Sequence, residues 1–274
     1  MLSKNNTSAV SSEESMSFWS HVDEFRKVLI RTAVVVLLFM VALFAVMPVL
    51  FDDFILAPCR GDFWLYQWFE ALSGRLPGFP EFTADGFHID LINIQLASQF
   101  FMHITASFWG ALLLACPLVM YFIWDFLRPA LYPHEVPRVR VAFLLGGVLF
   151  FLGVAVGYMV VFPVTFRFLA DYHVSGYVPN MISLDSYMDN FFTIIMMMGL
   201  VFELPLLSWL LGHLGVITRD LFYQYRRHAV VVLLILAAFI TPTGDPFTLM
   251  IVFMPIYLLW EFSAVLVPKS SSVE

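Results

Sequence analysis

Three glutamates stand where a carboxylate can do chemical work. Glu203 lies inside the apolar run MMMGLVFELPLLSWLL, where placing an acid costs several kcal/mol on insertion scales. Pro205, two positions on, frees a backbone carbonyl and bends a helix, so a polar partner or water can reach that depth. Three readings stay open for Glu203: a protonated acid hydrogen-bonded within the bundle, a proton or ion relay, or a polar contact offered to a partner's transmembrane helix. Glu24, in S-H-V-D-E-F-R-K, and Glu135, in R-P-A-L-Y-P-H-E, flank apolar runs and sit among basic residues. A carboxylate at a membrane surface pairs bidentately with a guanidinium, so two on one face suit a ligand with adjacent arginines. The alternative is an internal ion pair with Arg26 or Arg138. Catalytic signatures are missing. His134-Glu135 has no second histidine at the zincin spacing, and there is neither a G-x-S-x-G elbow nor a phosphate-binding glycine loop. The seven histidines are scattered singly, and Cys59 and Cys116 are the only cysteines. No enzyme activity, cofactor, metal or disulfide framework is expected.

The elements that must carry these residues are set by composition. Hydrophobic residues make up 61% and charged residues 13% of the 274 residues, too little polar surface to cover a soluble domain. The solvent for most of the chain is lipid. Apolar runs predict six transmembrane helices over 28–50, 101–127, 141–162, 191–211, 228–240 and 247–267, each read at 1.5 Å per residue against a hydrocarbon core of about 30 Å. The fold class is an all-α polytopic membrane protein. The last two helices read as short, the sixth because Pro255 and Glu261 interrupt it, and a bundle with short helices on one side is predicted to thin the bilayer beside it. Residues 1–17 read as a disordered tail, 18–267 as one membrane domain, 51–100 as a long acidic and aromatic outer loop, and 268–274 as a second tail. Gly153 and Gly157 form a G-x-x-x-G that lets helices approach closely, and packing within the chain is preferred to a dimer face.

Lys4, Arg26, Lys27, Arg31, Arg128, Arg138, Arg140, Arg219, Arg226, Arg227 and Lys269 fall on the side of the N-terminus, whereas Arg60, Arg75 and Arg167 fall opposite. By the positive-inside rule both termini are cytoplasmic. The negative total, −7, argues against nucleic acid as a partner.

Several segments resemble the TatC family, the receptor subunit of twin-arginine protein translocases. His21-Val-Asp-Glu-Phe-Arg26 is similar to the family's H-L-x-E-L-R, and Phe126-Leu-Arg-Pro-Ala-Leu-Tyr-Pro-His-Glu135 to its F-x-x-P-A-L-x-x-x-E. Tyr158-Met-Val-Val-Phe-Pro-Val-Thr-Phe-Arg-Phe-Leu169, Phe202-Glu-Leu-Pro205, Arg226-Arg-His-Ala-Val230 and Thr241-Pro resemble later family segments, although the last hairpin reads T-P-T-G-D-P where the family has T-P-P-D. The resemblance implies six spans in a prokaryotic cytoplasmic membrane. It implies a signal-peptide site built from Glu24, Glu135, Arg26, Pro129, Leu131 and His134, with Glu203 and Pro205 facing partner helices. Implied partners are TatA- and TatB-like single-span subunits, twin-arginine signal peptides of folded cargo, membrane lipid and further copies of the chain, with export driven by the proton-motive force. The alternative is a proton-coupled secondary transporter or channel that uses Glu203.

Overall fold

Long apolar runs in lipid have one way to satisfy their backbone within the segment, the helix, because no water is at hand to pair an N–H or C=O. The computed structural model describes residues 18–73, 86–130, 136–178, 180–213, 215–241 and 244–267 and is helical almost throughout. The helices are α1 (Phe18–Leu50), α2 (Trp64–Ser73), α3 (Ser98–Leu127), α4 (Val136–Val156), α5 (Phe162–Asp171), α6 (Leu184–Val201), α7 (Leu204–His213), α8 (Arg219–Gln224), α9 (Arg226–Ile240) and α10 (Pro246–Leu266). Among the described residues strand pairing is limited to two isolated bridges, Arg60 with His88 and Ile92 with Ser183. Among the described residues five helical stretches are long and apolar enough to cross a bilayer: Val22–Cys59, Ser98–Leu127, Val139–Asp171, Leu184–His213 and Pro246–Leu266. The sixth, α9, has 15 residues and about 22 Å of rise.

Spans three and four run beyond their expected bounds of 141–162 and 191–211, to Val139–Asp171 and Leu184–His213, and two further expectations change. The last helix is not short: α10 runs 21 residues through Pro255, about 31 Å. A proline removes one N–H, and here the helix carries on past it, so shortness belongs to α9 alone. The helical path of the first span also continues past Leu50, through a wide turn over Phe51–Ile55 and a tight turn over Ala57–Cys59. The segment between the first two spans therefore starts later than residue 51. The expected tails, 1–17 and 268–274, and residues 74–85 of the outer segment lie outside the described residues.

α1 and α3 pack antiparallel. At one end the rings of Phe25 and Phe126 lie 5.8 Å apart and Arg31 reaches Asp125 at 3.7 Å. At the other, Phe44 stacks on His103 with centroids 3.9 Å apart. Pro48, inside α1, has no N–H to give the carbonyl of Phe44 one turn back. His103 Nε2 supplies the missing donor at 2.9 Å, which fixes the proton on Nε2.

α4 and α6 approach through glycines. A Cβ at Gly153 would lie 2.5 Å from the Met198 carbonyl oxygen and 2.8 Å from Phe202, and one at Gly157 would lie 3.1 Å from the Cα of Ile195. From the other side, a Cβ at Gly199 would lie 2.8 Å from the Phe150 ring. Lipid is as apolar as a leucine side chain, so close backbone contact and dispersion, not water exclusion, hold such helices together. The G-x-x-x-G thus packs within the chain, as the sequence reading preferred.

Gly153→Val is expected to destabilise the detergent-solubilised protein by about 3 kcal/mol or more, because a backbone oxygen cannot move aside. Gly147→Ala, whose Cβ meets nothing within 4 Å, is expected to leave the unfolding midpoint nearly unchanged. Thermal unfolding followed by near-UV circular dichroism checks both.

Candidate functional site

Basic residues collect at one end of the bundle. Arg26, Lys27 and Arg31 lie in the first half of α1, Arg128 follows α3, Arg140 lies early in α4, and Arg219, Arg226 and Arg227 open α8 and α9. At the opposite end the described basic residues are Arg60 and Arg167. Glu24 is half-buried on α1, and Arg26 is exposed two positions on. The Phe25–Phe126 contact brings this turn beside the end of α3, where Pro129 sits exposed in the single tight turn Arg128–Ala130. Leu131, His134 and Glu135 lie outside the described residues. Among the described residues no ion pair joins Glu24 to Arg26. The acids that are paired at this end are Asp125, with Arg31, and Glu261, whose Oε1 lies 2.7 Å from Arg226. Arg226 Nε also donates to the Tyr257 hydroxyl at 3.2 Å, which ties the start of α9 to α10. Glu261 therefore acts in the α9–α10 contact.

Glu203 occupies a break in the fourth span. α6 ends at Val201 and α7 starts at Leu204, because Pro205 cannot donate to the carbonyl of Val201. The chain turns through Phe202 N to Met198 O at 3.0 Å, Glu203 N to Leu200 O at 3.1 Å and Leu207 N to Glu203 O at 2.9 Å. The side chain is laid over α4: a Cβ at Gly146 would lie 2.9 Å from Glu203 Oε2, and the Leu206 and Met120 side chains crowd the same spot. Both carboxyl oxygens are buried, and among the described residues neither has a hydrogen-bond partner. Of the three readings open for Glu203, hydrogen bonding within the bundle is the one these contacts lack.

Sequence reasoning missed the far end of the bundle. Three tyrosines staple the outer segment to the spans. Tyr66 donates to the carbonyls of Pro58 and Pro163 at 3.0 and 3.2 Å, Tyr158 to Phe54 at 2.8 Å, and Tyr187 to Ile55. Burial pushes the Tyr66 phenol above its ordinary range, against the opposing pull of Arg167, so it stays a donor at physiological pH. Arg167 packs its guanidinium 4.0 Å from the Phe87 ring centroid and pairs with Asp171 at 3.1 Å. Backbone pairing of Gly61 with Phe87 and of Ile92 with Ile182 completes the cap. The signal available in the sequence was the density of aromatics in 51–100. Trp64 and Trp68 of that segment are exposed on α2.

The family model described as "Sec-independent protein translocase protein (TatC)" matches residues 20–255. Among curated relatives, the TatC protein of Blattabacterium from Periplaneta americana is 31% identical over 250 residues, 90% of this chain and 93% of that protein. The TatC protein of Deinococcus radiodurans is 38% identical over 179 residues, 65% of this chain and 66% of that protein. A crystal structure of a twin-arginine translocase receptor, TatC, superposes with a TM-score of 0.67 at 25% identity, over 90% of this chain and 97% of that one.

An acid held in an apolar contact without a partner weakens the isolated fold. Glu203→Leu is expected to stabilise the solubilised chain on its own by about 1–3 kcal/mol. A fall in the thermal midpoint would mean that the carboxyl is satisfied within the bundle.

Proposed function

The chain belongs to the TatC family of Sec-independent protein translocase proteins, and from that premise we propose that its basic end receives the signal peptide of folded cargo. The family is a translocase component and not an enzyme, and the membership replaces the carrier or channel alternative. In this reading the basic end faces the cytoplasm of a prokaryotic cell, the spans lie in the inner membrane, and Glu24 and Glu135 take the two arginines of a twin-arginine motif. Guanidinium groups suit the task, because their fork binds a carboxylate bidentately where a lysine offers a point charge. Arg26 and Pro129 lie near Glu24 at this end, and the resemblance adds Leu131 and His134 to the contacts with the peptide.

One observation carries the proposal: Glu24 is half-buried, beside the end of α3, and without an ion pair among the described residues. An acid held in a basic surrounding, and without an ion pair among the described residues, is available to a cationic ligand. Glu203 supplies the second half of the reading. Its unpartnered oxygens at the Pro205 break favour a polar group arriving on the transmembrane helix of a TatA- or TatB-like subunit. Proton-motive force would drive the assembled translocase, which contains further copies of the chain.

A peptide containing S-R-R-x-F-L-K should bind the solubilised protein at least about tenfold more tightly than its twin-lysine counterpart, the worth of one bidentate charge-assisted pair. Glu24→Ala and Glu135→Ala should each remove most of that preference. Fluorescence anisotropy with labelled peptides is the measurement, and equal binding of both peptides by the wild-type chain would contradict the site.

A further inference from the structure

At the end of the bundle opposite Glu24, α5 and the first turns of α6 border an open cavity of about 260 Å³ that no contact described above uses. Its walls include the rings of Phe162, Phe166 and Tyr187, and its rim carries the exposed residues Asn180, Met181 and Ser186. Two polar atoms of its lining residues are buried and lack partners among the described residues: the Oγ1 of Thr165 and the Oδ1 of Asn190. Thr165 is only 2% exposed, and a helical threonine ordinarily returns its hydroxyl to the carbonyl one turn back. The Asn190 amide is oriented by its Nδ2, which donates to the Ser186 carbonyl at 2.8 Å, so Oδ1 is left as a pure acceptor. Buried polar atoms without partners are rare, and each calls for a ligand or water. The space far exceeds the roughly 30 Å³ of one water.

The chemistry of the occupant follows from the lining. Apolar walls whose lining residues carry two buried, unpartnered oxygens, the Thr165 hydroxyl and the Asn190 amide, fit an amphiphile whose polar tip donates hydrogen bonds. Position selects a lipid over a free solute: the cavity lies at the outer ends of the spans Val139–Asp171 and Leu184–His213, the level at which headgroups sit. Charge selects the headgroup. Asp171, Asp185 and Asp189 lie on these helix ends, and the nearby cation, Arg167, is ion-paired to Asp171 at 3.1 Å, so an anionic headgroup is disfavoured. We infer that this cavity seats the ammonium of an ethanolamine-type lipid, its N–H groups donating to Thr165 Oγ1 and Asn190 Oδ1. The aromatic walls add the attraction of ring faces for a cation. A choline headgroup carries the same charge and no N–H donor, so it makes neither hydrogen bond.

The test is lipid retention by the full, detergent-solubilised chain in native mass spectrometry, comparing phosphatidylethanolamine with phosphatidylcholine of identical acyl chains. The wild-type chain should retain the ethanolamine lipid about tenfold better, the worth of two net hydrogen bonds. Thr165→Val keeps the side-chain shape and Asn190→Leu removes the acceptor; each should cut the preference to about threefold, the worth of the bond that remains. Equal retention by the wild-type chain, or an ethanolamine preference that is undiminished in both variants, overturns the inference. The two substitutions lie on different helices, so a folding failure in one leaves the other to decide.

Discussion

The close approach of α4 to α6 is the contact on which the rest depends. In lipid there is little hydrophobic force to press helices together, so backbones must come near enough for dispersion to hold them. Gly153, Gly157 and Gly199 remove the side chains that would keep them apart. That seam fixes both ends of the bundle. Toward one end it sets Gly146 under the Glu203 carboxyl, and toward the other it places Tyr158 and Phe191 with ring centroids 6.1 Å apart in the aromatic core beneath the cap. A single set of small residues thus positions a polar intramembrane group and the support of the outer segment.

The two ends are built for different tasks. The end opposite the basic residues is stapled by tyrosine hydroxyls that reach backbone carbonyls across long stretches of chain, and such buried or partly buried bonds are costly to break. The basic end has a small buried cluster of Phe222, Ala264 and Val267, and its charged and ring contacts include an exposed ion pair at 3.7 Å, the Phe25–Phe126 pair and the Arg226–Glu261 link. Exposed pairs contribute little, so these charges hold their end less firmly than the tyrosine bonds hold the opposite one. The break at Phe202–Glu203 lies between them, where a missing proline N–H and an unsatisfied acid coincide.

Much of this was legible in the sequence, for identifiable reasons. Apolar runs give helices because lipid leaves the backbone no other partner, and an acid in such a run identifies itself, as Glu203 does. The Gly153/Gly157 spacing gives a close-packing face directly. Other features needed the third dimension. Pro48 reads as a defect in α1 until His103, on another helix, is seen to supply the donor that it removes. Pro255 and Glu261 read as interruptions of α10, yet the helix tolerates the proline and Arg226 neutralises the acid. Thr165 and Asn190 look like ordinary polar residues near span ends, and only their shared cavity sets them apart. Of the resemblance-based site, Glu24, Arg26 and Pro129 are placed near one end, while Leu131, His134 and Glu135 lie outside the described residues.

The central claim is that cargo recognition belongs to the basic end, and site-specific photocrosslinking tests it most directly. A photoreactive residue would be placed at Arg128, beside the turn that carries Glu24, or at Asn180, at the outer end. Each protein would be incubated in membranes with a radiolabelled twin-arginine signal peptide. The account predicts adducts at position 128 that a twin-lysine peptide fails to give, and none above background at position 180. Adducts of equal yield at both positions, or equal yields from the two peptides at position 128, would contradict it.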